Sequence, residues 1–284
     1  MSPPRDTYSL AALTVIDLSP PEMVSVAAQA GYDHVGLRLI PATPEDRVYP
    51  VIGDTPMVRD IQRRLRDGGI TVLDVEVFRL KPDTRARDFA AAIETAASLG
   101  ARHLLTTGQD ADLNRLADTF AEFCAMAGSF DMTADLEFMP WTEISTLQGA
   151  MALLNAADCS NAGLVVDALH FDRTHARLAD LARVPGRHLH FMQLCDAPKE
   201  APATIEGLIR QARGARLFPG DGELALIDLL RTMPQHVPVS LEVPLAQPDA
   251  GMPALERATR ALAAARRVVA QARSNLTAQA GANG

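Results

Sequence analysis

Long apolar runs are missing from this 284-residue chain. None approaches the roughly 20 residues needed to cross a bilayer, so no membrane partner is expected. Cysteine is scarce: Cys124, Cys159 and Cys195 are odd in number and far apart, which excludes a disulfide framework or a zinc knuckle. The opening Met1-Ser-Pro-Pro-Arg-Asp has no apolar segment of the secretory kind, and a cytoplasmic protein is expected. Positive charge is in deficit, with 27 Lys and Arg against 35 Asp and Glu for a net −8. Nucleic acid is therefore disfavoured as a partner, because phosphate binding needs a concentrated positive field. A small phosphorylated substrate is not excluded, since two local arginines suffice to hold one. Self-association into a homo-oligomer stays open.

What is present is an alternation. Hydrophobic residues make up 48% of the chain, enough for a sizeable core. Short β-branched runs alternate with Ala/Leu/Arg stretches along the whole length. Strands are expected over Tyr8–Ile16, His34–Ile40, Ile70–Phe78, Arg102–Thr107, Met132–Phe138, Gly163–Asp167, His188–Cys195 and Val237–Val243. Helices fall between them, with Gly68-Gly69 a stop signal for the second and Thr84 a cap for the third. Eight strand–helix units in strict order require parallel pairing through crossover helices. An open doubly wound sheet normally begins with a glycine-rich phosphate turn, but here that turn reads Asp17-Leu-Ser-Pro-Pro-Glu22. The expected fold is an α/β (β/α)8 TIM barrel, one domain over residues 1–274 with 275–284 as a frayed tail.

Chemistry on such a barrel sits at the C-terminal ends of the strands. Strand five ends in Leu136-Glu137-Phe-Met-Pro140, strand six in Val165-Val166-Asp167, strand seven in Met192-Gln193-Leu-Cys-Asp196 and strand eight in Ser240-Leu241-Glu242-Val-Pro244. Alternation turns Leu136 and Leu241 towards the helices and Glu137 and Glu242 towards the axis. Three inward carboxylates in one mouth repel, and unpaired buried charge costs several kcal/mol or more. A cation resolves this, unless each carboxylate has its own guanidinium. The oxygen-rich set Glu137, Asp167, Gln193 and Glu242 favours one divalent ion, Mn²⁺ or Mg²⁺, with Co²⁺ and Zn²⁺ left open.

The segments Leu-Glu-Phe-Met-Pro-Trp, Val-Val-Asp-Ala-Leu-His-Phe, His-Phe-Met-Gln-Leu-Cys-Asp-Ala and Ser-Leu-Glu-Val-Pro resemble the xylose-isomerase-like superfamily. More narrowly, they are similar to its sugar phosphate isomerase/epimerase branch, which includes tagatose epimerase-like, inosose-related and 3-dehydroshikimate dehydratase enzymes. Arg216-Leu-Phe-Pro-Gly-Asp-Gly222 resembles the Arg-x-x-Pro-Gly-x-Gly loop found there. The resemblance implies a metal held by Glu137, Asp167, Gln193 and Glu242. Many epimerases carry His at the seventh-strand position, and some 3-dehydroshikimate dehydratases carry Gln. His190 is the rival ligand, but regular pleating points it away from the side that Gln193 faces.

His170 lies just past a ligand strand, where the resemblance implies a catalytic or substrate-binding histidine. Arg38 and Glu76 finish strands two and three, either as substrate contacts or as a salt bridge with each other. Arg216 is expected to grip a substrate carboxylate or phosphate from above the mouth. His34, His103 and His188 begin strands and read as structural, while Asp74 and Asp135 lie one layer deeper. The expected activity is isomerisation or epimerisation of a small polyhydroxylated carbonyl compound through an enediolate, with Glu137 or Glu242 as base. Dehydration of a hydroxylated cyclic keto compound, with His170 as acid, is the alternative. A sugar-binding barrel without catalysis is a reading of another class. An endonuclease IV-like enzyme on the same barrel fits poorly, lacking the histidines and basic groove that role needs.

Overall fold

The computed structural model describes residues 5–43, 46–235, 237–246 and 251–282. Eight parallel strands close in sequential order: β1 (Tyr8–Leu10), β2 (His34–Arg38), β3 (Thr71–Leu80), β4 (His103–Gly108), β5 (Thr133–Glu137), β6 (Ala162–Asp167), β7 (Leu189–Leu194) and β8 (Val239–Leu241). The first strand is shorter than its apolar run because the chain turns into a 3-10 helix at Ala12. Around the barrel lie α1 (Pro20–Ala30), α2 (Pro56–Gly68), α3 (Ala90–Ser98), α4 (Leu113–Gly128), α5 (Leu147–Ala157), α6 (Ala168–Arg173), α7 (Leu178–Leu181), α8 (Ile205–Gly214), α9 (Leu226–Thr232) and α10 (Ala254–Ala282). The last helix thus continues past Ser274. No described helix is long and apolar enough to cross a membrane.

Local chemistry sets several of these ends. The Glu22 carboxylate accepts the Ser19 backbone N–H at 2.9 Å and opens α1. Thr55 caps α2 from the Val58 N–H with Pro56 at its first position, and Gly69 (φ 62°) closes it in the left-handed region that glycine favours. Thr84 caps no helix. Its hydroxyl accepts the Lys81 N–H at 3.0 Å and closes a turn, and a 3-10 turn at Ala86–Phe89 leads into α3.

The larger apolar core lies between strands and helices. Inside the barrel a small separate layer is formed by Leu73, Leu105, Val165 and Phe191. Polar side chains flank it at both ends, and those at the C-terminal end form the site.

Candidate functional site

Glu137 ends β5, Asp167 ends β6, Gln193 is near the end of β7 and Glu242 follows β8; all four are buried. Register pairs Asp167 with Gln193 and Gln193 with Ser240, so the strand ends meet at one level. The Gln193 amide donates to Glu242 Oε1 at 3.3 Å, while its own carbonyl oxygen has no hydrogen-bond partner among the described residues. Arg216 is buried between them. Its guanidinium bonds Asp167 Oδ2 at 2.6 Å and Glu242 Oε2 at 2.6 Å, and its Nε donates to the Ala212 carbonyl at 2.8 Å. The sequence reading placed this arginine above the mouth; here two internal carboxylates hold it. Backbone bonds explain the difference: Arg216 N–H donates to Pro244 O, and Leu217 pairs with Asp196, pinning the loop against the ends of β7 and β8.

Asp167 also caps α6, accepting the His170 backbone N–H at 3.0 Å. An Asp three residues before His170 is the N-cap signal in the sequence for this short helix. The cap carries His170 towards the axis. One oxygen each of Glu137 and Asp167 and one His170 nitrogen lie within 4.8 Å of one another. His170 Nε2 is 3.8 Å from Glu137 Oε1, and the imidazole packs edge-on against Trp141 with ring centres 5.0 Å apart. Its Nδ1 has no hydrogen-bond partner among the described residues. Arg38 donates to Glu76 at 2.8 Å and lies 3.5 Å from Asp46.

The charges are strongly perturbed. Burial pushes Glu137 well above the usual carboxylate range, and the Glu242 and Asp167 charges push it further. Glu242 rises to about 8, chiefly by burial, with Arg216 opposing. Burial works against the Asp167 charge as well, yet Arg216 beside it holds that carboxyl below its ordinary value. Burial lowers His170 to about 4, so its imidazole is neutral near pH 7. Below this level, Asp74 is buried in the space left by Gly36, with neither oxygen hydrogen-bonded among the described residues, and burial with the Glu76 and Glu242 charges pushes it well above the usual carboxylate range.

Glu76, Glu137, His170, Arg216 and Glu242 line a cavity of about 350 Å³, while Asp167 and Gln193 lie behind its wall. Arg38 and Trp141 also line it, together with two further cations, Arg79 near the end of β3, where the sequence also places it, and Arg213, which the sequence does not single out. Among the described residues neither of these two guanidinium groups has a carboxylate bonded to it. Arg213 lies near the end of α8, far in sequence from any strand end, which is why strand-end reasoning passed over it.

Residues 24–268 match the family described as xylose isomerase-like TIM barrel. The chain belongs to that family. The 3-dehydroshikimate dehydratase of Pseudomonas aeruginosa (strain PAO1) is 26% identical to it over 239 residues, which is 78% of this chain but 36% of the relative. This member of the family therefore spans about a third of that relative's length. Among solved structures, a xylose isomerase-like TIM barrel/4-hydroxyphenylpyruvate dioxygenase fusion protein superimposes with TM-score 0.80 at 21% identity, covering 97% of this chain and 44% of the other. The IolI protein with a bound zinc atom gives 0.77 at 20% identity over 94% and 99% of the two chains. An L-ribulose 3-epimerase gives 0.72 at 15% identity over 96% and 97%.

The site residues fit a divalent ion. Three buried carboxylates, Glu137, Asp167 and Glu242, share one guanidinium, Arg216, so with all three ionised the site carries −2. Arg38 and Glu76 cancel each other. Hard oxygen donors with a residual charge of −2 suit a divalent cation, and the orphaned Gln193 carbonyl oxygen supplies a further neutral donor.

Proposed function

We propose that this protein is a metal-dependent lyase that removes water from a small hydroxylated keto compound bearing an anionic group. The observation that carries the reading is the charge count: three buried carboxylates with one guanidinium, opening on a cavity of substrate size. Glu137, Asp167, Gln193 and Glu242 would hold the ion, which when bound would polarise the substrate carbonyl and stabilise negative charge developing beside it. Glu137 faces the cavity and takes the proton from the carbon next to the carbonyl. His170, neutral and 3.8 Å from Glu137, delivers a proton to the departing β-hydroxyl only after receiving one. It is therefore a relay between Glu137 and the leaving oxygen rather than an independent acid. A C–H and a C–O bond break, a C=C bond forms and water leaves, with no oxidant required. Arg79 and Arg213 support an anionic substrate: burial and the Arg213 charge lower the Arg79 pKa, and a carboxylate or phosphate between them relieves that repulsion. The similarity to a 3-dehydroshikimate dehydratase favours elimination, as does Gln193, in the position where the family resemblance implies Gln for some such dehydratases and His for many epimerases.

Epimerisation or isomerisation on the same site is the second reading. It is favoured by two carboxyl groups of raised pKa, Glu137 and Glu242, in one cavity, which would allow proton removal and return on different faces. The test uses 3-dehydroshikimate, an inosose and a ketose with Mn²⁺ in deuterated water. The lyase reading expects an ultraviolet-absorbing enone or aromatic product from an anionic keto compound. Deuterium uptake without loss of water would replace it with the epimerase reading. No turnover together with no metal dependence would leave a binding barrel.

A further inference from the structure

A second cluster lies at the opposite end of the barrel. Asp135, two residues before Glu137 on β5, is fully buried and sits about 7 Å down the strand from it. His190 Nδ1 is 2.6 Å from Asp135 Oδ1, and His103 Nδ1 is 3.4 Å from Asp135 Oδ2. The imidazoles stack with centres 5.6 Å apart and planes at 15°. Thr133 closes the group, its hydroxyl bonding both Asp135 and His103. Two irregular features bring these residues together. The β6–β7 register jumps from Leu164↔Leu189 to Val165↔Phe191, so His190 is the extra residue of a bulge, and the alternation that would point it outward is broken. Between β5 and β7 the intervening strand offers Gly163, where a Cβ would stand 2.1 Å from Asp135 Oδ1 and 2.4 Å from His190 Nδ1. No side chain fits there.

We infer that His103, Asp135 and His190 form a structural binding site for a divalent transition metal of the zinc type, separate from the site at the mouth. Two imidazoles and one carboxylate are common zinc donors, and tetrahedral zinc with bonds of about 2.0–2.2 Å spaces its ligands roughly 3.2–3.6 Å apart. One donor atom from each residue already lies within 4.8 Å of the others, so the ion needs shifts of about an ångström and loss of the proton on the His190–Asp135 bond. The His103 and His190 side chains are 13% and 19% exposed, which leaves an entry route from the N-terminal end. The apolar layer of Leu73, Leu105, Val165 and Phe191 separates the cluster from the mouth, and Leu105 lines the substrate cavity above it. An ion held here would tie β4, β5 and β7 together and would not touch substrate.

The test is zinc stoichiometry of the full chain after stripping with chelator, read by elemental analysis and by Co²⁺ absorption. The double variant His103→Gln/His190→Gln should bind one ion fewer per chain than the wild type. A mouth variant, Glu137→Gln/Asp167→Asn, keeps the lower cluster intact and should retain one Zn²⁺ and a tetrahedral Co²⁺ spectrum. Equal stoichiometry in the wild type and the histidine variant would overturn the inference, as would a mouth variant that binds no ion. Because the two sites are counted separately, failure of the mouth to bind metal leaves this result readable.

Discussion

Replacing Arg216 with glutamine tests the charge balance at its centre. The guanidinium is buried and bonded to Asp167 and Glu242 at 2.6 Å each, so its loss strands two carboxylates in the barrel. Removing one partner of a buried pair costs about 3–5 kcal/mol. For a chain of this size each kcal/mol moves the melting temperature by about 2–4 °C, so the metal-free variant should melt about 6–20 °C lower at pH 8. The loss should shrink in acid, where Glu242 can take a proton. With all three carboxylates ionised, as an ion would hold them, the residual charge at the mouth goes from −2 to −3. An added unit charge about 4 Å from the ion is worth about 4 kcal/mol at an effective dielectric of 20, enough for metal affinity to rise at least ~10-fold even after most of it is lost to relaxation. The assay is thermal unfolding of chelator-treated protein against Mn²⁺ concentration, run in parallel on wild type and variant. An ion at 100 times its Kd stabilises by about 2.7 kcal/mol, so Mn²⁺ should recover a larger share of stability in the variant. Equal metal-induced shifts in the two proteins, or a metal-free loss under about 1 kcal/mol, would refute the argument that the carboxylates share one counterion and await another.

Three more outcomes follow from the same geometry. Glu242 rises from 4.5 to about 8 on folding, so the native state holds a proton that the unfolded chain releases across that interval. Metal-free stability should therefore fall as pH rises from about 4.5 to about 8, and saturating Mn²⁺ should flatten or reverse the slope; an upward slope without metal would contradict it. Glu242→Gln should cost at least ~10²-fold in kcat while leaving the circular dichroism spectrum unchanged, and near-normal turnover would remove its role. Arg79→Gln or Arg213→Gln should raise KM roughly 10-fold to 100-fold for an anionic substrate with little change in kcat, in line with about 1.5–3 kcal/mol for a charged hydrogen bond. A neutral analogue should be indifferent to either change.

The parts of this site that the sequence revealed are those governed by strand alternation. Glu137, Asp167 and Glu242 each follow an apolar stretch at a strand end, Gln193 lies three residues past the bulge of β7, and a period of two over the last residues of each strand leaves only one face for them. The same rule failed at His190 because it assumes continuous pairing; the bulge between β6 and β7 adds a residue and brings His190 and Gln193 to the same interior at different depths. A bulge has no dependable composition, and the only trace of this one is Gly163 on the neighbouring strand, which becomes meaningful once Asp135 and His190 are known to meet over it.

Arg216 shows a different limit. Its motif was visible and its position along the chain was right, but burial depends on the loop pairing with Asp196 and Pro244, contacts 20 and 28 residues away in opposite directions. Read locally, an arginine beside Pro219 and Gly220 belongs to a solvent-facing turn. The physical constraint that could have placed it is charge itself. Three inward carboxylates that depend on one exchangeable ion are costly when it leaves, because the empty site would then carry −3 in a dry interior unless it took up protons. A permanent internal cation lowers that to −2, and Arg216 was the one basic residue in the family-like loop near the ends of β6 and β8. The burial of that arginine is thus a consequence of the carboxylates already read from the strands.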